Sequence, residues 1–342
     1  MNIIFNNQIS IFSDIFPIYL TPKQCIKLYS SNKILYNIHK INNRFEQYYF
    51  IPKNKQQLKV AVNLWCSNKS KAIIKYGHIS NWDTTYITNF KELFFNKENF
   101  NDNINEWNTS NVNNMICMFH SAKKFNQPLN NWNTSNVRYI NYMFAEALNF
   151  NQPLDNWDTS KIICMISMFD GADEFNQSIN NWDISNVNNI SYMFAYMRKF
   201  NQPLNNWNTS NIKHMNYIFC RNEAFNQPID NWNVSNIKDM NSVFYSSIYN
   251  QPLNNWNTSN VINMQNMFTN SDFNQPLDNW DTSNVIDMSY MFNYTKQFNQ
   301  SLKNWNVSKI TNIDYMFDSE KKFNQLIGNW NLSNVIFKDS IF

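Results

Sequence analysis

From residue 81 onward, apolar and polar positions recur in one fixed order, F-N-Q-P-L-x-N-W-[N/D]-T-S-N-V-x-x-M-x-x-M-F. The tryptophans of this unit are Trp82, Trp107, Trp132, Trp157, Trp182, Trp207, Trp232, Trp256, Trp280, Trp305 and Trp330, spaced by 25 residues except for two gaps of 24. A fixed period in this range marks stacked supersecondary units, none of which can bury its apolar face alone. Residues 81–342 are therefore expected to form a solenoid of about eleven repeats of 24–25 residues.

Within one unit the pattern changes period. Leu129-Asn130-Asn131-Trp132-Asn133-Thr134-Ser135 alternates, with Trp132 and Thr134 on one side and Asn133 and Ser135 on the other, which predicts a short strand. Val137, Ile140, Met143 and Phe144 follow at three- and four-residue spacing, which predicts a helical or 3₁₀ turn with Ser135 or Asn136 as its N-cap. Stacked about 4.8 Å apart, such coils bring each indole onto the preceding one, and burying one contributes roughly 4–6 kcal/mol as an upper bound. Phe150-Asn151-Gln152 and its equivalents recur almost unchanged, so their amides are expected to form a ladder between coils. The proline that follows, as at Pro128 and Pro153, fixes the bend and withholds a donor.

The constant unit resembles the BspA-like leucine-rich repeat family in its mycoplasma-lipoprotein-type variant, over roughly three-quarters of the chain. That resemblance implies an α/β solenoid, a right-handed leucine-rich-repeat-like stack of short parallel strands and short helical or 3₁₀ turns. In bacteria it also implies surface proteins and adhesins, which carry an export or lipidation signal. The sequence MNIIFNNQISIFSDIF has no basic n-region, continuous apolar core or small-residue cleavage site, so no secretory signal is expected.

Composition narrows the function classes. With 342 residues, only three glycines and 15% charged residues, the chain has the Asn-Ile-Lys bias that resembles proteins of giant viruses or AT-rich protists. Aromatic content of 17% supplies ample apolar surface to bury, so the asparagine excess does not signal disorder. A net charge of +3 is too small to imply a nucleic-acid partner. No stretch approaches 18 apolar residues, so no membrane span is expected. His39, His78, His120 and His214 form no ligand-spaced cluster, and Cys25, Cys66, Cys117, Cys164 and Cys220 are irregularly spaced. Free, mostly buried thiols in a reducing compartment are expected. Asn-x-Ser sequons at Asn108, Asn133, Asn208, Asn233, Asn257, Asn306 and Asn331 share their slot with Asp158, Asp183 and Asp281. A slot that accepts Asp equally is set by a short hydrogen-bonding side chain, not by a glycan, and an intracellular protein is the expectation.

A stack of coils needs covered ends. Residues 46–80 are expected to be a helical N-terminal cap, with apolar runs at Leu58–Trp65 and Lys71–Tyr76 and Gly77 at a helix C′ position. Residues 1–45 are expected to be a small α-helical head. Thr21-Pro22-Lys23-Gln24 reads as a capping box with proline at N1, followed by an apolar face at Cys25, Ile26, Leu28 and Tyr29. This helical array resembles an F-box, although Ile11-Phe12 stands where that family has Leu-Pro. The resemblance implies docking of a cullin-ligase linker protein through Ile15, Phe16, Leu20, Pro22, Ile26 and Leu28. The alternative is an extension that only thickens the cap.

No catalytic, cofactor-binding or metal site is expected. Asp158 and Asp183 occupy adjacent rungs, and two close carboxylates are the strongest candidate for chemistry. Every repeat has that slot, however, so a structural ladder is the stronger reading. Partner selection is expected from positions that vary between repeats: Arg138, Tyr139, Glu146, Asp173, Glu174, Arg198, Lys199, Lys213, His214, Arg221, Lys238 and Asp239. The expectation is a non-enzymatic intracellular scaffold that binds protein targets, in its sharper form an F-box-like substrate adaptor. The rivals are a surface or virion structural protein adhering through the repetitive Asn/Ser face, and an enzyme acting through Asp158 and Asp183.

Overall fold

The computed structural model describes residues 50–318, 323–325, 327, 330–339 and 341. The F-box-like head expected at 1–45, with its docking residues Ile15, Phe16, Leu20, Pro22, Ile26 and Leu28, lies outside the described residues. The chain divides into two compact units, Met1–Ile87 with Glu106–Asn108, and Thr88–Asn105 with Thr109–Phe342.

In the first unit, α1 (Lys55–Ser67) begins where the Asn54 side chain accepts a hydrogen bond from the Gln57 N–H at 3.0 Å. Gln57 reciprocates by accepting from the Lys53 N–H at 2.8 Å. The helix buries Leu58, Ala61, Val62 and Trp65. Asn68 then ends α1 and caps α2 (Lys69–Tyr76), accepting from the Lys71 N–H at 3.0 Å. Gly77, at φ 70°, closes α2 in the left-handed region where the sequence placed a C′ glycine. Of the predicted apolar run in α2 only Ala72 is buried, and Ile73 and Ile74 are exposed. Trp65 meets Trp82 edge-on at 5.8 Å, and Trp82 stacks on Trp107 at 6.2 Å and 19°.

In the second unit each repeat is a coil whose backbone bonds to the coils before and after it. Between Val137 and Ala147 the amide donors alternate. Tyr142, Phe144 and Glu146 donate forward to Ile166, Met168 and Asp170 at 2.9, 2.9 and 2.7 Å, while Met143, Ala145 and Ala147 donate three residues back within the coil. Parallel bridges join the equivalent residues Asn114, Tyr139 and Cys164, and again Asp239, Asn263, Asp287, Asn312 and Phe337.

The predicted local elements differ from the observed ones. No strand forms at Leu129–Ser135: the Trp132 N–H bonds the Leu129 carbonyl at 3.1 Å, so the chain turns at the tryptophan. No helix forms over Val137–Phe144 either, because Tyr142 and Glu146 hold left-handed φ values of 57° and 55° that interrupt any run of right-handed residues. The backbone-to-backbone bonding between coils therefore lies in the Val-to-Phe run and the corner after it, not beside the tryptophan. Among the described residues no bridge extends into a longer strand.

Side chains fill the coils in columns. Phe94, Phe119, Phe144 and Phe169 stack at 5.4–5.7 Å within 5° of parallel, and the series continues to Phe317. A second column runs from Phe100 through Phe125 to Phe225, where Tyr249 takes the next place. The indoles stack likewise: Trp256, Trp280, Trp305 and Trp330 follow one another at 6.4–6.5 Å within 5° of parallel.

Candidate interaction face

The constant polar residues bond from coil to coil. Each repeat indole donates to a backbone carbonyl. Trp132 donates to Ile104 at 3.1 Å, Trp157 to Leu129 at 3.1 Å and Trp232 to Leu204 at 3.1 Å, and the series reaches Trp330. The threonine two residues on gives its hydroxyl to the next coil, as Thr134 does to the Asp158 carbonyl at 3.0 Å. The predicted amide ladder is present and half-buried. Asn126 Oδ1 accepts from the Asn151 N–H at 3.0 Å and Gln152 Nε2 at 2.9 Å, and Asn151, Asn176 and Asn201 repeat the arrangement. Asn136 and Asn236 each donate to a serine carbonyl of the preceding coil, at 2.8 and 2.7 Å.

The mixed Asn/Asp slot is an Asx turn. Asp158 Oδ1 accepts from the Ser160 N–H and hydroxyl at 3.0 and 2.6 Å, and Asn133 accepts the same pair from Ser135 at 3.1 and 2.7 Å. Either residue supplies that acceptor, which is why both occur. The hydroxyl and amide of Ser160 hold the Asp158 carboxyl below its usual range, and Ser283 does the same for Asp281. A carboxylate held low in this way is poorly suited to donate a proton as a general acid. Among the described residues no group of three or more His, Cys, Asp or Glu side chains is placed to hold a metal ion. Of the thiols expected to be mostly buried, only Cys220 is so among the described residues: burial pushes it up to about 12, while Cys117 and Cys164 are half-buried and Cys66 is exposed; Cys25 lies outside the described residues.

The candidate partner residues separate into two sets. Asp173, Glu174, Arg198 and Lys199 lie just beyond the Val-to-Phe run and pair across coils, Arg198 with Asp173 at 3.6 Å and Lys199 with Glu174 at 2.6 Å. Arg138, Tyr139, Glu146, Lys213, His214, Arg221 and Lys238 are exposed residues of the run and its end, with Asp239 half-buried among them. Tyr139, His214 and Asp239 occupy the bridged position. Glu146 accepts from the Ser121 hydroxyl at 2.6 Å.

Apart from Tyr139, sequence reasoning missed the tyrosines of this run. Tyr142, Tyr192, Tyr217, Tyr290 and Tyr315 share one left-handed position, and Tyr196 and Tyr294 share a second with Arg221. Tyr192 and Tyr217 stack at 4.5 Å and 4°. The Arg221 guanidinium lies over the Tyr196 ring at 5.6 Å and the Tyr245 ring at 5.9 Å. Asp170 borders this group, and its carboxyl is pushed up to about 6 by burial, against the Ser167 hydroxyl and with Glu146 adding to the rise. The available signal was column by column: these tyrosines stand where other coils have Ser, Asn or Glu, unlike the constant core aromatics.

A family model described as Mycoplasma protein of unknown function, DUF285, matches residues 65–182, 149–251 and 246–342. The chain belongs to this family. The DUF285 matches together run from the C-terminal part of α1 to the last residue and include every candidate from Arg138 to Asp239. The F-box-like segment falls outside them. No curated protein and no solved structure is matched by the chain. No helix among the described residues is long and apolar enough to cross a membrane.

Proposed function

We propose that this DUF285 chain is a non-enzymatic intracellular scaffold that binds protein targets through the exposed side chains of its Val-to-Phe runs. In this reading the coils form a right-handed, leucine-rich-repeat-like solenoid of the BspA-like kind, with α1 and α2 as its N-terminal cap. One observation carries it. The constant polar groups (indole N–H, threonine hydroxyl, Asn and Gln amides) are bonded between coils, whereas variable side chains of the run such as Arg138, Tyr139, Lys213, His214 and Lys238 are exposed. A surface whose chemistry changes from coil to coil on a constant frame suits recognition of one extended partner. The Asn/Ser turns support the rival adhesive reading less well, because their side chains bond one another or the preceding coil.

In the sharper form, residues 1–45 dock a cullin-ligase linker and the coils hold the substrate. Affinity capture with the full chain and with the variants Ile15→Asp/Phe16→Asp and Lys213→Ala/Lys238→Ala tests both parts. The head variant is expected to lose the linker and keep the target, and the coil variant the reverse. Equal linker capture by the head variant contradicts the adaptor form. Equal target capture by the coil variant contradicts the assignment of the binding face.

A further inference from the structure

We propose that coils 182–250 carry the principal docking hot spot, built by Tyr192, Tyr196, Tyr217, Arg221 and Tyr245, and that it takes an acidic, partly apolar protein segment. The inference rests on the scaffold reading and names the partner's chemistry.

The residues are not demanded by the frame. Tyr192, Tyr196, Tyr217 and Arg221 have φ values of 59°, 56°, 60° and 52°, a region that L side chains enter at a cost of roughly 1–2 kcal/mol per residue. The same two positions accept Ser121, Gly171, Asn266 and Asn270 elsewhere in the chain, so the frame does not require bulky side chains there, and Tyr192, Tyr196, Tyr217 and Arg221 place them at both positions of two consecutive coils. Backbone strain that the fold can relieve elsewhere is a pointer to function.

Their arrangement selects the partner. Arg221 is exposed, lies over the rings of Tyr196 and Tyr245, and has no carboxylate within 4.0 Å among the described residues. A guanidinium ordered in this way presents its edge to a carboxylate with little further loss of freedom. Lys213 and Lys238 are exposed in these runs, and with Arg198 and Lys199 paired to Asp173 and Glu174, the three cations Lys213, Arg221 and Lys238 stand against the two carboxylates Glu223 and Asp239 along the runs and the corners that follow them. Tyr and Arg are the residues most enriched where interfaces concentrate their energy. Nucleic acid is disfavoured. Tyr192 and Tyr217 lie face to face and leave no shared gap for a base, and three cations neutralise few phosphates. Asp170 sets one boundary, since a negative group beside Tyr192 and Tyr196 repels an acidic segment from the preceding coil.

The test measures binding of a labelled peptide of alternating Glu and Leu to the full chain by fluorescence anisotropy, beside its Gln/Leu counterpart and single-stranded polyuridine RNA. The acidic peptide is expected to bind best. Arg221→Asn, which suits a left-handed backbone, is expected to weaken it roughly tenfold or more. Arg198→Ala, on the ion-paired corner, is expected to change it by less than about twofold. Equal binding of the Gln/Leu peptide, preference for RNA, or an Arg221→Asn chain that binds unchanged overturns the proposal. A photo-crosslinking residue at Tyr217 or Asn233 of the full chain, in lysate of the source cells, separates this failure from that of the scaffold. Protein adducts at Asn233 alone sink the hot spot and keep a scaffold; adducts at neither position sink both.

Discussion

Two stretches of every coil solve the same packing problem with opposite economies of side chain. Around each tryptophan, the polar groups of Asn131 to Asn136 and their equivalents bond within the turn or to the neighbouring coil. Along the Val-to-Phe run the backbone itself makes the inter-coil bonds, through amides such as those of Tyr142, Phe144 and Glu146. The polar side chains of the first stretch are therefore fixed by bonding, whereas in the second some, such as Ser121 and Ser191, bond a neighbouring coil and others, such as Arg138, Lys213 and Lys238, are exposed. Constancy in the sequence follows bonding and burial: a side chain that closes a hydrogen bond between coils, or fills a column as Phe144 does, repeats, and an exposed side chain of the run varies.

That contrast is broken most severely by Trp232→Ala. The indole is buried, stacks on Trp207 at 6.0 Å and donates to Leu204 at 3.1 Å, so its loss is expected to cost about 3–5 kcal/mol in urea unfolding. An unchanged midpoint would contradict the indole column. Next in size is Asn201→Ala, which removes the acceptor for the Asn226 N–H and Gln227 Nε2 at 3.0 and 3.1 Å. A loss of about 1–2 kcal/mol is expected, and Asn201→Asp, which keeps the acceptor, is expected to retain more of the stability than Ala.

Asp170 gives the comparison a pH dependence. Its folded pKa, about 6, lies above the ordinary aspartate value of 3.8, so the folded state holds the proton more tightly. Its burial therefore costs nothing below about pH 4, and the cost grows as pH rises through about 6. Asp170→Asn is expected to raise stability at pH 7 by on the order of 1 kcal/mol, after allowance for partial exposure, and to leave it nearly unchanged at pH 4. A gain of equal size at both pH values would assign the effect to something other than the buried charge. The smallest effect is expected at Tyr294, exposed at φ 56°. Tyr294→Asn should stabilise by about 0.5–1 kcal/mol by relieving the left-handed backbone, and a clear destabilisation would show that the ring contributes packing there.

Much of this arrangement was legible in the sequence, and the part that was not has a physical cause. The columns of Trp, Phe and Met follow directly from the period, because equivalent residues of stacked coils must meet. The Asn/Asp slot revealed its hydrogen-bonding role by accepting both residues at Asn133 and Asp158. The alternation across Trp132, Asn133, Thr134 and Ser135 also described burial correctly, with Trp132 and Thr134 inside. It misnamed the backbone, since consecutive turns bury alternate residues as a strand does. The Val137–Phe144 spacing misled in the same way. A run with left-handed residues at every fourth position places Ile140, Met143 and Phe144 inward without being a helix. The tyrosines at 192, 196 and 217 escape a pattern reading because the aromatic residues that recur in every unit belong to the core and these do not stand apart from them by type. How far they reach the surface, Tyr196 exposed and Tyr192 and Tyr217 half-buried, depends on φ, and no pattern of hydrophobicity reports φ.

The claim that constant residues bond coil to coil is tested most directly by hydrogen exchange at the indole nitrogens, read by NMR on ¹⁵N-tryptophan-labelled full-length protein. The eleven repeat indoles from Trp82 to Trp330 each donate to a backbone carbonyl at 2.9–3.4 Å. Their protons are expected to be protected as a group and to exchange only when coils open. Indole protons exchanging at the rate of free tryptophan throughout the repeats would contradict the account.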